Sequence, residues 1–252
     1  MELNVVSFNI WCHNQPGKNS IASRAPRLKE ILTNMDTDII GMQECTPSWL
    51  EHLEEDFGSK YEIFNVWRAK HNHESAPILW KKDKFSCLDK GCFWLSDTPD
   101  VESEGWCEWK CNRICTWAKL KEKESGKIFL FMNTHFGFGD SCQTKSAKLI
   151  HEYNLKLGNY PTVITGDFNM RHNYPAYKDM SALYRDVNMA TGKDMGNTYH
   201  GYEPGKHQED LIDYCFINED FHPVSYRRIT DKVEGLYPSD HYGIQATIQF
   251  AE

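Results

Sequence analysis

The 252-residue sequence has no surplus of positive charge: 28 lysines and arginines face 36 aspartates and glutamates, for a formal net charge of −8. Proteins that grip nucleic acid regardless of its sequence draw most of their affinity from a basic face that neutralises phosphates. Without such a face, a nucleic-acid role needs a local site or a small substrate. No apolar run is long enough to span a bilayer. The first eleven residues lead straight into a strand pattern, with no charged start, apolar stretch and cleavage site of a leader. These absences predict a cytosolic protein with no membrane insertion. No internal repeat, low-complexity segment or linker divides the chain, so residues 1–252 are expected to form one domain. Nor does any heptad or exposed apolar stripe argue for a partner copy, and a monomer is expected.

The nine cysteines are odd in number, and several fall inside apolar strand-like runs. Reduced thiols are the expectation. The run Cys107, Cys111, Cys115 matches no common zinc-knuckle spacing, and strand residues surround Cys115.

Hydrophobic residues make up 40% of the chain, enough for a substantial core. A period of two marks strands at 3–11 and 242–250, each with one buried and one wetter face. A helix is predicted over 23–35, with Ser23 as its cap and Pro26 in its first turn. Residues 38–44 read as a short buried strand ending in Glu44. Thr46 then caps, and Pro47 opens, a helix that Gly58 stops. Strands at 61–67 and 77–81 flank a polar loop, 71–75, and residues 83–112 read as irregular. A hairpin is predicted over 113–121 and 127–135. A helix at 143–157, a strand at 161–165, a helix at 175–183 and strands at 210–218 and 224–229 follow. Interleaved helices with antiparallel pairing predict a mixed α/β fold.

Polar side chains gather at the ends of these strands: Asn9, Glu44, His135, Asp167 with Asn169, Asp213, and Asp240 with His241. Taken singly, each has a plain structural reading. Asn9 is a strand-end hydrogen bonder, Asp167 and Asn169 suit a turn, and His135 is a satisfied buried histidine. Asp213 is different, because a carboxylate inside the apolar strand Leu211–Phe216 is costly unless partnered. Taken together, rigid elements would deliver several hard oxygen ligands to one rim. Acids brought so close raise one another's pKa, and a bound Mg²⁺ or Mn²⁺ removes that cost.

The segments Ser7-Phe8-Asn9-Ile10-Trp11, Gly41-Met42-Gln43-Glu44, Asn133-Thr134-His135-Phe136, Gly166-Asp167-Phe168-Asn169, Ile212-Asp213-Tyr214 and Ser239-Asp240-His241 occur in one order. In that order the chain resembles the endonuclease/exonuclease/phosphatase superfamily, from about residue 5 to 246. The resemblance implies a four-layer sandwich, two mixed β-sheets flanked by helices, and a metal-dependent phosphoesterase. It implies Glu44 as principal metal ligand, with Asn9 and Asp240 as ligands or close supports. Asp167 would activate the attacking water, and Asn169 would hold that water or a phosphate oxygen. His241 would contact the scissile phosphate with Asp213 as its partner, and His135 would contact it too. Arg113 resembles a substrate-side arginine of some branches, and the loop bearing His200 often approaches the site. Trp11 stands where some subfamilies carry an acid, which leaves open whether one or two metal ions bind.

The reading from sequence is a hydrolase of phosphate esters using Mg²⁺ or Mn²⁺. Water would attack in line, with no covalent intermediate. Net acidity favours a diester, either a short nucleic acid or a small phosphodiester, over long duplex DNA. A phosphomonoesterase acting on a sugar or inositol phosphate is the close alternative. An idle phosphate-binding module is the other, and the complete set of acids argues against it. Trp94, Trp106 and Trp109 either rim the substrate or close the sandwich edge. Lys145, Lys148 and Arg171 are solvated cations or phosphate contacts.

Overall fold

A computed structural model describes residues 1–107 and 109–251. In chain order, β1 (Glu2–Asn9), α1 (Ile21–Thr33) and β2 (Ile39–Gln43) form a first strand–helix–strand unit. After α2 (Pro47–Phe57) come β3 (Tyr61–Phe64), β4 (Trp67–Ala69), β5 (Asn72–Ser75) and β6 (Ile78–Lys81). The long hairpins of β7 (Phe85–Trp94), β8 (Ile114–Glu122) and β9 (Ile128–His135) follow. A second strand–helix–strand unit joins β9 through α3 (Asp140–Lys156) to β10 (Thr162–Asp167). The chain ends with α4 (Pro175–Leu183), β11 (Arg185–Asp186), α5 (Val187–Thr191), β12 (Asp213–Ile217), β13 (Phe221–Ile229) and β14 (Gly243–Phe250).

The strands form two six-stranded sheets, β13-β14-β1-β2-β6-β3 and β11-β12-β10-β9-β8-β7, and β4 pairs with β5 apart from them. Each sheet holds one parallel pair, β1 with β2 and β9 with β10, and its other pairs are antiparallel. Leu3, Val5, Trp80, Leu120, Phe131 and Ile248 fill the space between the sheets. Val6, Phe8 and Ile10, on the other side of β1, pack under α1 and α2. On the far side, Met132 and Ile164 pack under α3 and α4. The fold is therefore a mixed α/β sandwich of four layers.

Register builds the rim. Parallel pairing brings Asn9 beside Gln43 and Asp167 beside His135. Antiparallel pairing sets Asp213, at the start of β12, opposite Asp167. Asp240 and His241 enter the same rim just before β14. Below it, a polar ladder ties the two sheets together. Gln43 Nε2 donates to Ser7 Oγ at 3.1 Å and to Asn133 Oδ1 at 2.7 Å, and Thr165 Oγ1 donates to Asn133 Oδ1 at 3.2 Å. Only glycine fits at position 41, where a Cβ would lie 2.5 Å from both Asn133 Oδ1 and Thr165 Oγ1.

Three local expectations change. Helix α1 starts before residue 23. Ser20 is its cap, its hydroxyl accepting from Ser23 N, and Pro26 lies inside the helix. The second polar residue of the Ser20–Ser23 pair concealed the true start. Residues 85–94 form β7, not an irregular stretch, and pair with β8 across a register shift. That bulge, between Cys87 and Asp89, breaks the alternation on which a strand reading rests. The polar loop at 71–75 is largely strand β5, paired with β4. The cysteine run is divided: Cys115 is buried within β8, a strand of the second sheet, while Cys107 and Cys111 touch each other at 2.9 Å. The three sulfurs do not form one cluster.

Candidate active site

The rim opens into a cleft of about 620 Å³ lined by Glu44, His135, Asp167, Asn169, Asp240 and His241, and by Arg113 from beside the start of β8. The backbone bends sharply here. Trp11, Glu44 and Asn169 hold φ angles of 60°, 62° and 48°, a left-handed conformation that costs free energy in residues with side chains. Each lies within two residues of a strand end, where the turn aims a side chain into the cleft.

Asn9 organises two of the acids. Its Nδ2 donates to Glu44 Oε1 at 3.1 Å and to Asp167 Oδ2 at 2.9 Å, while its Oδ1 accepts from Trp11 N at 3.0 Å. The amide of Asn9 is thus used in holding carboxylates. Glu44 also accepts from Cys12 N at 2.8 Å. Burial would raise its pKa, but these donors outweigh it and hold the carboxyl below its ordinary value. Asp167 and Asp240 go the other way. Burial, with Asp213 adding repulsion, pushes Asp167 up to about 7, and burial pushes Asp240 up to about 6. The second oxygen of Asp167 accepts from Asn169 N at 2.9 Å, so the carboxylate is fixed at both ends. Asn169 in turn donates from Nδ2 to Phe136 O at 3.0 Å.

The two histidines differ in charge. Burial drives His135 well below its usual range, with Arg113 and Arg68 adding to it, so it is neutral. Its Nε2 lies 3.5 Å from Asp167 Oδ2. His241 Nδ1 lies 2.9 Å from Asp213 Oδ2. Burial would lower the pKa of His241 too, but Asp213, helped by Asp167 and Asp240, raises it to about 10. One donor atom each of Asp167, Asp213 and His241 lies within 4.8 Å of the others. An imidazolium already bonded to Asp213 repels a cation, so the group suits an anion better than a metal ion.

Asp213→Asn tests this pairing. Without the negative charge, burial prevails and the pKa of His241 falls. Wild-type His241 should show no NMR titration between about pH 6 and 8, whereas the variant should titrate lower, with turnover down about 10²-fold. Unchanged turnover and an unchanged resonance would remove Asp213 from this role. A folded pKa above the unfolded 6.5 also fixes the sign of the linkage. The pair's contribution to stability is complete below about pH 6.5 and is lost as pH rises towards 10.

One candidate substrate residue meets a different environment. His200 is buried behind the rim, against Tyr237 and Tyr242, and its Nδ1 accepts from Tyr202 N at 3.1 Å. It does not line the cleft and supports it from below, so it is not placed to bind substrate. Trp94 and Trp106 also lie outside the cleft, where Trp94 Nε1 bonds Arg68 O and Trp106 borders a shallower depression with Lys145 and Lys148. Trp109 and Arg171 do line the cleft.

Sequence reasoning missed Arg68 and Glu74, which sit on the β4–β5 hairpin, form an ion pair and line the cleft beside Arg113. The short strands carried no clear period, although an arginine and a glutamate in facing strands were a usable signal. It also missed Arg24, which is wholly buried. Its guanidinium donates to the carbonyls of Asn19, Ile10, Pro238, Trp11 and His13, at 2.6–3.4 Å. This cation ties the loop after β1 to the segment that carries Asp240.

Residues 143–241 match the Endonuclease/Exonuclease/phosphatase family. An endonuclease/exonuclease/phosphatase family protein from Bacteroides thetaiotaomicron has a similar structure. Identity is 30% over 100% of this chain and 99% of that one, with a TM-score of 0.91. A mannosyl-6-phosphatase from the same species is 30% identical over 98% of this chain and 100% of its own, with a TM-score of 0.87. An uncharacterized protein, L388, of Acanthamoeba polyphaga mimivirus is 31% identical over 158 residues, 56% of this chain and 58% of that relative. A likeness that runs the whole length of a solved family protein, with the strand-end acids brought to one cleft, makes this chain a member of the endonuclease/exonuclease/phosphatase family.

Proposed function

We propose that the protein is a divalent-metal-dependent phosphoesterase and that its substrate carries a terminal phosphate. The observation behind this reading is the pairing of two unlike halves in one cleft: buried acids that suit a cation, and buried cationic donors that suit an anion.

The donor set fits Mg²⁺ or Mn²⁺. Glu44 and Asp240 are oxygen ligands facing the cleft, and their mutual repulsion, together with the raised pKa of Asp240, is a cost that a cation relieves. When bound, such an ion supplies charge neutralisation to the phosphoryl oxygens and to the leaving oxygen. Asp167, held by Asn9 and Asn169 with a pKa near neutrality, takes the proton of the attacking water. His241, positively charged, donates from Nε2 to a phosphoryl oxygen while Asp213 fixes its ring. Neutral His135 adds a second imidazole on the cleft wall.

The arginines separate the ester classes. Arg113 Nε and Nη1 and Arg68 Nε are buried without a hydrogen-bond partner. A phosphomonoester carries up to two negative charges and three terminal oxygens, and so uses such donors more fully than a diester. The mannosyl-6-phosphatase likeness points to the same class, a phosphorylated sugar. The diester reading keeps one observation in its favour, the exposed Trp109 on the cleft, because bases stack on aromatic faces.

The test compares an activated monoester with the matching diester under Mg²⁺, Mn²⁺ or chelator. Monoester hydrolysis that the chelator abolishes is expected. Diester hydrolysis alone would establish the second reading, and turnover that survives the chelator would overturn the metal requirement.

A further inference from the structure

Few large apolar side chains are exposed among the described residues, and two of them, Trp109 (73% exposed) and Phe138 (42%), touch each other on the wall of the cleft, with ring centroids 4.9 Å apart. Apolar surface left in water beside a polar site is unfavourable and marks a place where something binds. The turn that carries Trp109 is closed by its own backbone, with Gly105 N donating to Cys111 O at 3.1 Å and Lys110 N to Cys107 O at 2.9 Å. The Trp109 turn lies so close to the Phe138 segment that a Cβ on Gly137 would meet Cys107 Cβ at 2.6 Å. Gln143 Nε2 then donates to Gly137 O at 3.2 Å and to Asn169 O at 2.6 Å, joining this support to the proposed catalytic loop. The platform is therefore pre-organised with respect to the chemistry.

The lining also holds a polar cluster of another kind. Arg171 donates to Asp210 Oδ1 from Nε at 3.0 Å and from Nη2 at 2.7 Å, and His207 Nδ1 lies 3.1 Å from Asp210 Oδ2. Tyr199 packs on His207 at 4.8 Å. Tyr199 also packs on His241 at 5.0 Å, so the cluster adjoins the proposed phosphate contact. Its groups offer both donors and acceptors, the complement that neighbouring hydroxyl groups need.

We propose that Trp109 and Phe138, with Asp210 and His207, form the subsite for the alcohol half of the substrate, and that this half is the hydroxyl-bearing ring of a hexose phosphate. The inference rests on the terminal-phosphate reading above. One face of a sugar ring is a row of C–H groups that lies against an aromatic ring, while its hydroxyls project outward to polar neighbours. A nucleotide is the competing occupant, because its base would stack on the same rings and its ribose hydroxyls would meet the same polar pair.

The experiment uses the full-length protein with Mg²⁺, and its probes are a hexose 6-phosphate, glycerol 3-phosphate and a nucleoside monophosphate. Trp109→Ala and Asp210→Asn should each raise KM for the hexose phosphate about tenfold with little change in kcat, and Trp109→Ala should leave KM for ring-less glycerol phosphate as it was. Binding of the same three compounds is measured by calorimetry in the Asp167→Asn background, which needs no turnover. Hexose phosphate binding that weakens about tenfold on adding Trp109→Ala would support the subsite even if no ester were cleaved, and would then count against the phosphoesterase reading alone. Equal effects on all three compounds, or none, would overturn the subsite while leaving that reading intact. So would a preference for the nucleotide that Asp210→Asn does not change. Absence of any binding would overturn both.

Discussion

Asp167→Asn is expected to lose turnover by about 10²–10⁴-fold while the protein stays folded, the range general-base catalysis contributes. Register places Asp167 at the end of β10, between His135 on one side and Asp213 on the other. Donors from Asn9 and Asn169 hold one oxygen each, so the group is oriented without being neutralised. Burial then lifts its pKa to about 7, where a carboxylate is basic enough to take a proton and about half of it is still ionised at neutral pH. Asparagine keeps the shape and one acceptor but cannot take the proton. Losing one of two hydrogen bonds costs about 1 kcal/mol, a shift in Tm of roughly 2–4 °C for a chain of this size. Turnover near wild type in the folded variant would show that another group is the base.

Arg24→Met is expected to be the most damaging single change to stability, at about 4 kcal/mol or more. Five carbonyls from three separate stretches of chain converge on this guanidinium. It also lies 4.9 Å from the ring centroids of both Trp11 and Trp49. Methionine fills much of the volume and satisfies none of the carbonyls, each of which costs about 1–3 kcal/mol when left unpaired out of water. Tm should fall by about 10 °C or more. Activity should fall as well, even well below Tm, because Arg24 holds the backbone of Trp11 and Pro238, which flank Asn9 and Ser239. Ser239 Oγ donates to Asn9 O at 2.7 Å, so slack in one stretch passes to the other. A fall in Tm of only a degree or two would mean that water replaces the guanidinium and that the loops carry themselves.

Much of the fold was legible because the signals are local. The alternation in β14, the Thr46-Pro47 start of α2 and the hairpin of β8 and β9 each depend on residues within a few positions of one another. Segments whose shape depends on distant partners were misread. Strand β7 carries a bulge and takes its form from pairing with β8, and β4 and β5 are too short to show a period. The same division holds at the site. Glu44, Asp167, Asp240 and His241 could be picked out because acids and a histidine at strand ends are chemically conspicuous. His200 was conspicuous for the same reason, yet it packs behind the rim among Tyr202, Tyr237 and Tyr242.

By itself, the sequence determined the alternation of strands and helices, the acids at their ends and the lack of a positive surplus, because each is a property of residue type and spacing. Tertiary structure alone decided which of those side chains meet. Parallel register on one side and antiparallel register on the other, within one sheet, set Asp167 between His135 and Asp213, while the β4–β5 hairpin brought Arg68 to the cleft wall with Arg113, and loops set Trp109 against Phe138. The physical reason is that side-chain charge and shape are carried by single residues, whereas desolvation, pKa shifts and unpaired donors arise only when residues far apart in the chain exclude water together.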